Sequence, residues 1–169
     1  MAISPTLKTF LTKQKIKHTT QKHPAVYTAQ EIAAAQHTPG KRLAKCVVVK
    51  TDKGFFLAVL PAIYLVDLAK LKKLLRAKTL TLANEGDIKR TFPDVDVGAM
   101  SVFGNLYNVP TVVDKTLVEA ESIVCNAGTH TDTVTVRYRD FEKSVKPKVG
   151  SFGLHVAKSR PSAKRKKKA

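Results

Sequence analysis

Three short segments of this sequence carry residue types that could do chemistry. Lys45 stands at the mouth of an apolar run, Leu43-Ala44-Lys45-Cys46-Val47-Val48-Val49, where a strand would hold its ammonium as a compact, mobile charge. Gly98-Ala99-Met100-Ser101-Val102-Phe103-Gly104 is a glycine-bounded stretch able to turn backbone N–H groups toward a ligand. Ala127-Gly128-Thr129-His130 leaves a further apolar run and offers an imidazole in a turn. Taken singly, each has an ordinary structural reading: a solvated lysine at a strand end, a plain turn, a surface histidine.

The familiar catalytic patterns are absent. There is no G-x-x-x-x-G-K-[ST] phosphate loop, no G-x-G-x-x-G fingerprint, no H-E-x-x-H or C-x-x-C spacing and no G-x-S-x-G elbow. The five histidines (18, 23, 37, 130 and 155) are scattered, so neither a metal nor an organic cofactor is expected. Cys46 and Cys125 lie inside apolar runs, which suits buried structural thiols better than nucleophiles or a disulfide framework, and points to a reducing compartment.

Alternating strand and helix signals must position these segments. Residues 6–14 read as a helix, with Leu7, Phe10 and Leu11 at helical spacing behind Pro5. Thr28 and Glu31 have capping-box spacing for a helix to about Gln36. Cys46–Val49 reads as a strand buried on both faces, turned by Thr51-Asp52-Lys53-Gly54 into a hairpin with Phe55–Val59. A helix over 67–76 carries the stripe Leu68, Leu71, Leu74 and Leu75, with Lys70, Lys72 and Lys73 mostly off it. Strands are expected at 79–82, 111–113, 123–126 and 133–137, and helices from Asn84 to Thr91 and over 140–145. Residues 92–108, rich in Gly, Pro and Asn, form a long loop of the kind that tends to be functional. The pattern predicts an α/β (α+β) single domain with a mixed β-sheet or barrel-like core flanked by short helices, over residues 1–155.

Composition bounds the partners. The 169 residues include 30 Lys and Arg against 13 Asp and Glu, a formal net charge of +17. Residues 156–169 hold seven basic residues, Lys158, Arg160, Lys164, Arg165, Lys166, Lys167 and Lys168, and no acid, so they read as a disordered basic tail. The remainder still has 23 basic residues against 13 acidic, or +10. A body this basic fits a polyanion such as nucleic acid, although charge can also serve solubility alone. The longest apolar run, Phe55 to Val66, is interrupted by Pro61 and is too short to cross a bilayer. With no apolar leader at the start of the sequence, membrane and secreted readings fall away in favour of a cytoplasmic protein.

In order, these segments resemble a known family. They are His23-Pro24-Ala25-Val26-Tyr27-Thr28-Ala29-Gln30-Glu31, Leu43-Ala44-Lys45, Leu57-Ala58-Val59-Leu60-Pro61-Ala62, Val66-Asp67-Leu68, Phe92-Pro93-Asp94-Val95, Val97-Gly98, Phe103-Gly104, Val113-Asp114, Asn126-Ala127-Gly128-Thr129-His130 and Asp140-Phe141. The series is similar to the YbaK family of aminoacyl-tRNA deacylases, and to the editing domain inserted in bacterial prolyl-tRNA synthetases. It spans about residues 5–152, and its order is more specific than any one motif.

The resemblance implies a trans-editing hydrolase that removes a small wrong amino acid from the 3′ end of tRNA by water attack on the ester. The same fold used as a non-catalytic basic RNA-binding module is the alternative. Lys45, Gly98 and His130 would be the catalytic positions. Ala99, Met100, Ser101, Val102, Phe103, Gly128 and Tyr27 would form the substrate pocket. Lys41, Arg42, Lys164, Arg165, Lys166, Lys167 and Lys168 would hold the nucleic acid. Aminoacylated tRNA is the implied partner, with an aminoacyl-tRNA synthetase as a second. The chain departs from the family at Val102, where the loop Gly-x-x-x-Pro has its proline; Pro fixes φ and Val does not, so the departure implies an altered amino-acid preference.

Overall fold

The computed structural model describes residues 3–23 and 42–155. Helix α1 (Pro5–Lys13) begins where Ser4 caps the Leu7 N–H and Pro5 supplies a preset φ, and it leads to strand β1 (His18–Lys22). Strands β2 (Ala44–Thr51) and β3 (Gly54–Pro61) form the expected hairpin, its turn made by Gly54 at φ +110°. Strand β4 (Tyr64–Val66), helix α2 (Leu68–Leu75), strand β5 (Leu80–Leu82) and helix α3 (Glu85–Thr91) follow. Asp67 caps α2 and a reciprocal Asn84–Asp87 capping box starts α3. A 3-10 turn over Gly104–Tyr107 leads to β6 (Thr111–Asp114), and then β7 (Ser122–Asn126) and β8 (Asp132–Arg137). Helix α4 (Tyr138–Val145), β9 (Lys148–Gly150) and β10 (Gly153–His155) complete the described residues.

The largest sheet is mixed, as expected, and among the described residues the sheets do not close into a barrel. One has the order β5-β2-β3-β6-β9, antiparallel from β5 to β3 and parallel from β3 to β9. A three-stranded antiparallel sheet has the order β1-β8-β7, and β10 pairs with β4. A parallel bridge between Leu43 and Val124 links the first two sheets just before β2 begins.

The five-stranded sheet is covered on both faces, which explains its continuous apolar runs. Ala44, Val48, Leu57, Val59 and Val113 face a core shared with α1, α4, β7 and β8. Val49, Ala58, Leu60 and Val112 face a second core with Leu71 and Leu75 of α2 and with Phe152. Every one of these side chains is buried, and full burial of one Leu is worth about 1.5–3 kcal/mol.

Four short strands depart from the sequence pattern. β1 (HTTQK) is polar and mostly exposed, and forms because backbone pairing with β8 completes a sheet edge. β4, β9 and β10 have three residues each, too few to show a period of two. Helix α4 starts at Tyr138 rather than Asp140, because Tyr138 and Phe141 are buried together with rings 5.6 Å apart. The helix expected from Thr28 to Gln36 lies outside the described residues.

One buried carboxylate ties these late elements together. Asp114, 2% exposed, accepts the N–H groups of Phe152 at 2.8 Å and Gly153 at 2.7 Å on one oxygen. Its other oxygen accepts the N–H and hydroxyl of Thr116. Burial alone would raise its pKa, but these hydrogen bonds to the charged form win and hold it below the usual 3.8. A carboxyl with a depressed folded pKa stabilises the fold above its unfolded value and loses that contribution as pH falls through the folded one. Asp114→Asn should therefore cost about 1.5–3 kcal/mol at neutral pH. In urea unfolding at a series of pH values, the deficit should shrink as the pH drops below about 4. A deficit that stays constant into acid would mean that the charge of Asp114 does not matter.

Candidate active site

The turn that carries His130 is built around a carboxylate. Strand β7 ends at Asn126, and the chain turns through 127–131 into β8. Asp132, 3% exposed, accepts the hydroxyls of Thr129 at 2.5 Å and Thr131 at 3.1 Å, and the Lys22 ammonium at 3.3 Å. Burial pushes its pKa up, yet the two hydroxyls and Lys22 hold it below the usual carboxylate value. His130 is thereby gripped from the residues on both its sides. Gly128 is required twice over: its φ is +105°, and an added Cβ would lie 2.8 Å from Ser4 Cβ. Ser4 in turn donates its N–H to Ala127 O at 2.8 Å.

The glycine-led loop is stitched to this turn by its backbone. Asp96 N–H donates to Gly128 O, Gly128 N–H to Ala99 O and Ala99 N–H to Asp96 O, each at 2.9 Å. His130 Nε2 lies 3.0 Å from Val97 O, and because a carbonyl only accepts, Nε2 carries a proton. Asn126 Nδ2 donates to Gly98 O at 3.3 Å. Gly98 has φ +88°, and a Cβ there would rest 3.6 Å from His130 Cε1. The structure thus brings together Gly98, Gly128 and His130, three of the residues expected from the sequence.

The rest of the loop points inward. Among residues 98–103 only Gly98 is exposed; Ala99, Met100, Ser101, Val102 and Phe103 are buried. Phe103 packs against Phe10 and Phe141 at 5.4 and 5.7 Å. Cys46 Sγ donates to Ser101 O at 3.3 Å, and the Val102 N–H points at Cys125 Sγ. Burial pushes the Cys125 thiol up to about 12 and the Cys46 thiol well above its ordinary value, so both stay protonated and tether the loop rather than attack a substrate.

Lys45 approaches from the neighbouring strand. The Leu43–Val124 bridge is parallel, and Lys45 lies two residues beyond it on one chain as Asn126 does on the other. Strand alternation turns Lys45 away from the core that takes Ala44 and Val48, just as Asn126 is turned away from the core that takes Cys125. Lys45 is half-buried, and loss of solvent pulls its pKa below the ordinary 10.5. Arg42 is exposed and lines a cleft with Thr116, Glu119 and Ser122. Tyr27, Lys41, Lys164, Arg165, Lys166, Lys167 and Lys168 lie outside the described residues. Asp132, Asp96 and Asn126 received no role from the sequence; the Asn-Ala-Gly-Thr-His run contained Asn126, but only the fold shows what its amide touches. Among the described residues no group of three or more His, Cys, Asp or Glu is placed to hold a metal ion, and no helix is long and apolar enough to cross a membrane.

Residues 23–144, which hold all of this geometry except the contacts made by Ser4, Phe10 and Lys22, match the sequence model of the aminoacyl-tRNA editing domain. The chain belongs to that family. It is 28% identical over 148 residues to the prolyl-tRNA editing protein ProX of Acetoanaerobium sticklandii, covering 84% of this chain and 90% of that protein. It is also 38% identical over 79 residues to the proline–tRNA ligase of Xylella fastidiosa, covering 47% of this chain but only 13% of the ligase. A crystal structure of a candidate trans-editing enzyme for prolyl tRNA synthetase superposes with TM-score 0.77 at 19% identity, covering 90% of this chain and 99% of that one. The hypothetical protein APE2540 superposes with TM-score 0.80 at 15% identity, over 88% and 99% of the two chains. These two likenesses show the fold. Membership of the editing family makes this chain an aminoacyl-tRNA deacylase whose substrate is a charged tRNA.

Two glycines separate strain from site geometry. An alanine forced to positive φ costs about 1–2 kcal/mol. Gly54→Ala and Gly98→Ala share that strain, and nothing lies within 4 Å of a Cβ at Gly54. Both variants should therefore melt earlier by a similar margin, while only Gly98→Ala should lose deacylation. Equal activities would separate the loop conformation from catalysis.

Proposed function

We propose that this deacylase acts in the cytoplasm on tRNAs mischarged with a small amino acid. Water attacks the ester carbonyl within the space bounded by Gly98, His130 and Lys45. The observation that supports this reading is the stitching of the Gly98 loop to the His130 turn, beside the bridge through which the strand of Lys45 meets β7. An aminoacyl ester is already activated, so the reaction needs positioning and charge stabilisation more than a covalent nucleophile.

Each group then has a task. The N–H groups of Ala99 and Val102 are engaged by Asp96 O and Cys125 Sγ, and the N–H of Gly98, the exposed residue of the loop, faces the developing oxyanion. A donor of that kind is worth about 2.7–4 kcal/mol. Lys45 supplies its cation to the ester carbonyl or the terminal phosphate from a partly desolvated position, where the interaction is stronger than in water. His130 walls the site beside Gly98 and limits what fits. A small wrong amino acid is the substrate a synthetase rejects poorly, since one methylene is worth only about 1–3 kcal/mol. The basic body, Lys41, Arg42 and the 156–169 tail hold the tRNA backbone, an interaction that weakens steeply with salt. The stretch shared with a proline–tRNA ligase supports a synthetase as the partner that releases the mischarged tRNA.

Wild type incubated with Ala-, Cys-, Ser- and Thr-tRNA should deacylate at least one of them. Lys45→Ala should slow that reaction by about 100-fold or more, while tRNA binding and melting temperature change little. Turnover of none of the four with tRNA still bound would instead make the chain a binding module on an editing fold.

A further inference from the structure

Asn126 presents an oxygen that nothing among the described residues satisfies. Its Nδ2 donates to Gly98 O at 3.3 Å, while its Oδ1 is buried and has no hydrogen-bond partner. The amide cannot be turned over, because Oδ1 would then face the Gly98 carbonyl, acceptor against acceptor. A buried acceptor left unpaired typically costs about 1–3 kcal/mol, so a fold that keeps one beside its candidate site points to a donor on the substrate.

The chemistry of the substrate narrows that donor. Around the scissile bond of an aminoacyl ester, the carbonyl and ester oxygens only accept. Two groups donate, the α-ammonium of the amino acid and the neighbouring ribose hydroxyl. The ammonium is the stronger partner because its hydrogen bonds are charge-assisted. Resting on the deacylase reading above, we infer that the Asn126 side-chain carbonyl receives the α-ammonium of the esterified amino acid, so that the site requires a free amino group. The neutrality of the amide matters. Lys45 and Asn126 each lie two residues beyond the bridge that joins their strands, and a carboxylate in place of Asn126 would bring a negative charge to the end of β2 that carries this lysine. An amide carbonyl accepts from the substrate cation without adding that charge. Asn126 thus does two jobs with one side chain, fixing the Gly98 carbonyl through Nδ2 and reading the substrate through Oδ1.

The test compares two esters on one tRNA. One is the aminoacyl ester that wild type removes; the other is its des-amino counterpart, for example alanyl against propionyl. Each rate is divided by its uncatalysed rate in buffer, since the ammonium also activates the ester. Wild type should favour the aminoacyl ester by roughly 10- to 100-fold in kcat/KM, and Asn126→Leu should bring the ratio close to one. The ratio is internal to each variant, so a general loss of activity from a shifted Gly98 loop does not imitate it. Should Asn126→Leu not melt cooperatively, Asn126→Ser, whose shorter hydroxyl withdraws the acceptor, gives the same comparison. An unchanged ratio, with both esters slowed equally, would assign Asn126 to the ribose hydroxyl or to loop positioning and overturn the inference while leaving the deacylase intact. Failure of wild type to hydrolyse either ester would overturn both together.

Discussion

The candidate site depends on one constraint, the backbone stitching of residues 96–99 to residue 128. Three hydrogen bonds of 2.9 Å close a small ring of peptide groups between two segments about thirty residues apart in sequence. The ring fits only because Gly98 and Gly128 take positive φ, at +88° and +105°. Once it is closed, the Val97 carbonyl meets His130 and the Gly98 carbonyl meets Asn126. These polar groups therefore hold their relative positions through backbone geometry.

The wider fold serves that ring. The five-stranded sheet, buried on both faces, fixes β2 against β3, and the Leu43–Val124 bridge fixes where β2 meets β7. Asp132 clamps the turn after β7 and Ser4 fills the space above Gly128, so that the start of the described chain closes over the site's back. Phe103, Met100 and Val102 anchor the far end of the loop in the larger core. Side chains thus hold the loop from behind, while its backbone, led by Gly98, faces outward.

Much of this was legible in the sequence because it rests on local signals. The hairpin at Thr51–Gly54, the Asn84 cap and the leucine stripe of α2 are decided by a few adjacent residues, and each formed where expected. Lys45, Gly98, Gly128 and His130 were legible as candidates, yet only their order along the chain singled them out, and their meeting is a matter of tertiary hydrogen bonds that no period reports. β1 was invisible because its five polar residues are held by partners more than a hundred positions away. Asn126 was overlooked for a related reason. An asparagine at a strand end is unremarkable until its amide is seen to be half satisfied.

Val102 shows how a departure from a family pattern can be absorbed by the surrounding structure. The proline of Gly-x-x-x-Pro restricts the loop by fixing φ and carries no N–H. Val102 lacks that restriction, but its N–H is directed at Cys125 Sγ, and the preceding carbonyl, Ser101 O, accepts from Cys46 Sγ. The two thiols, raised in pKa by burial, stay protonated and grip the two sides of one peptide group, Ser101–Val102. The Val102 side chain is itself fully buried and packs in the larger core. A covalent restriction is replaced by a pair of sulfur contacts, and the loop end remains anchored. On this geometry Val102 acts on the site only through the path of the backbone toward Gly98, whereas Gly98, Asn126, His130 and Lys45 are the groups proposed to meet the substrate.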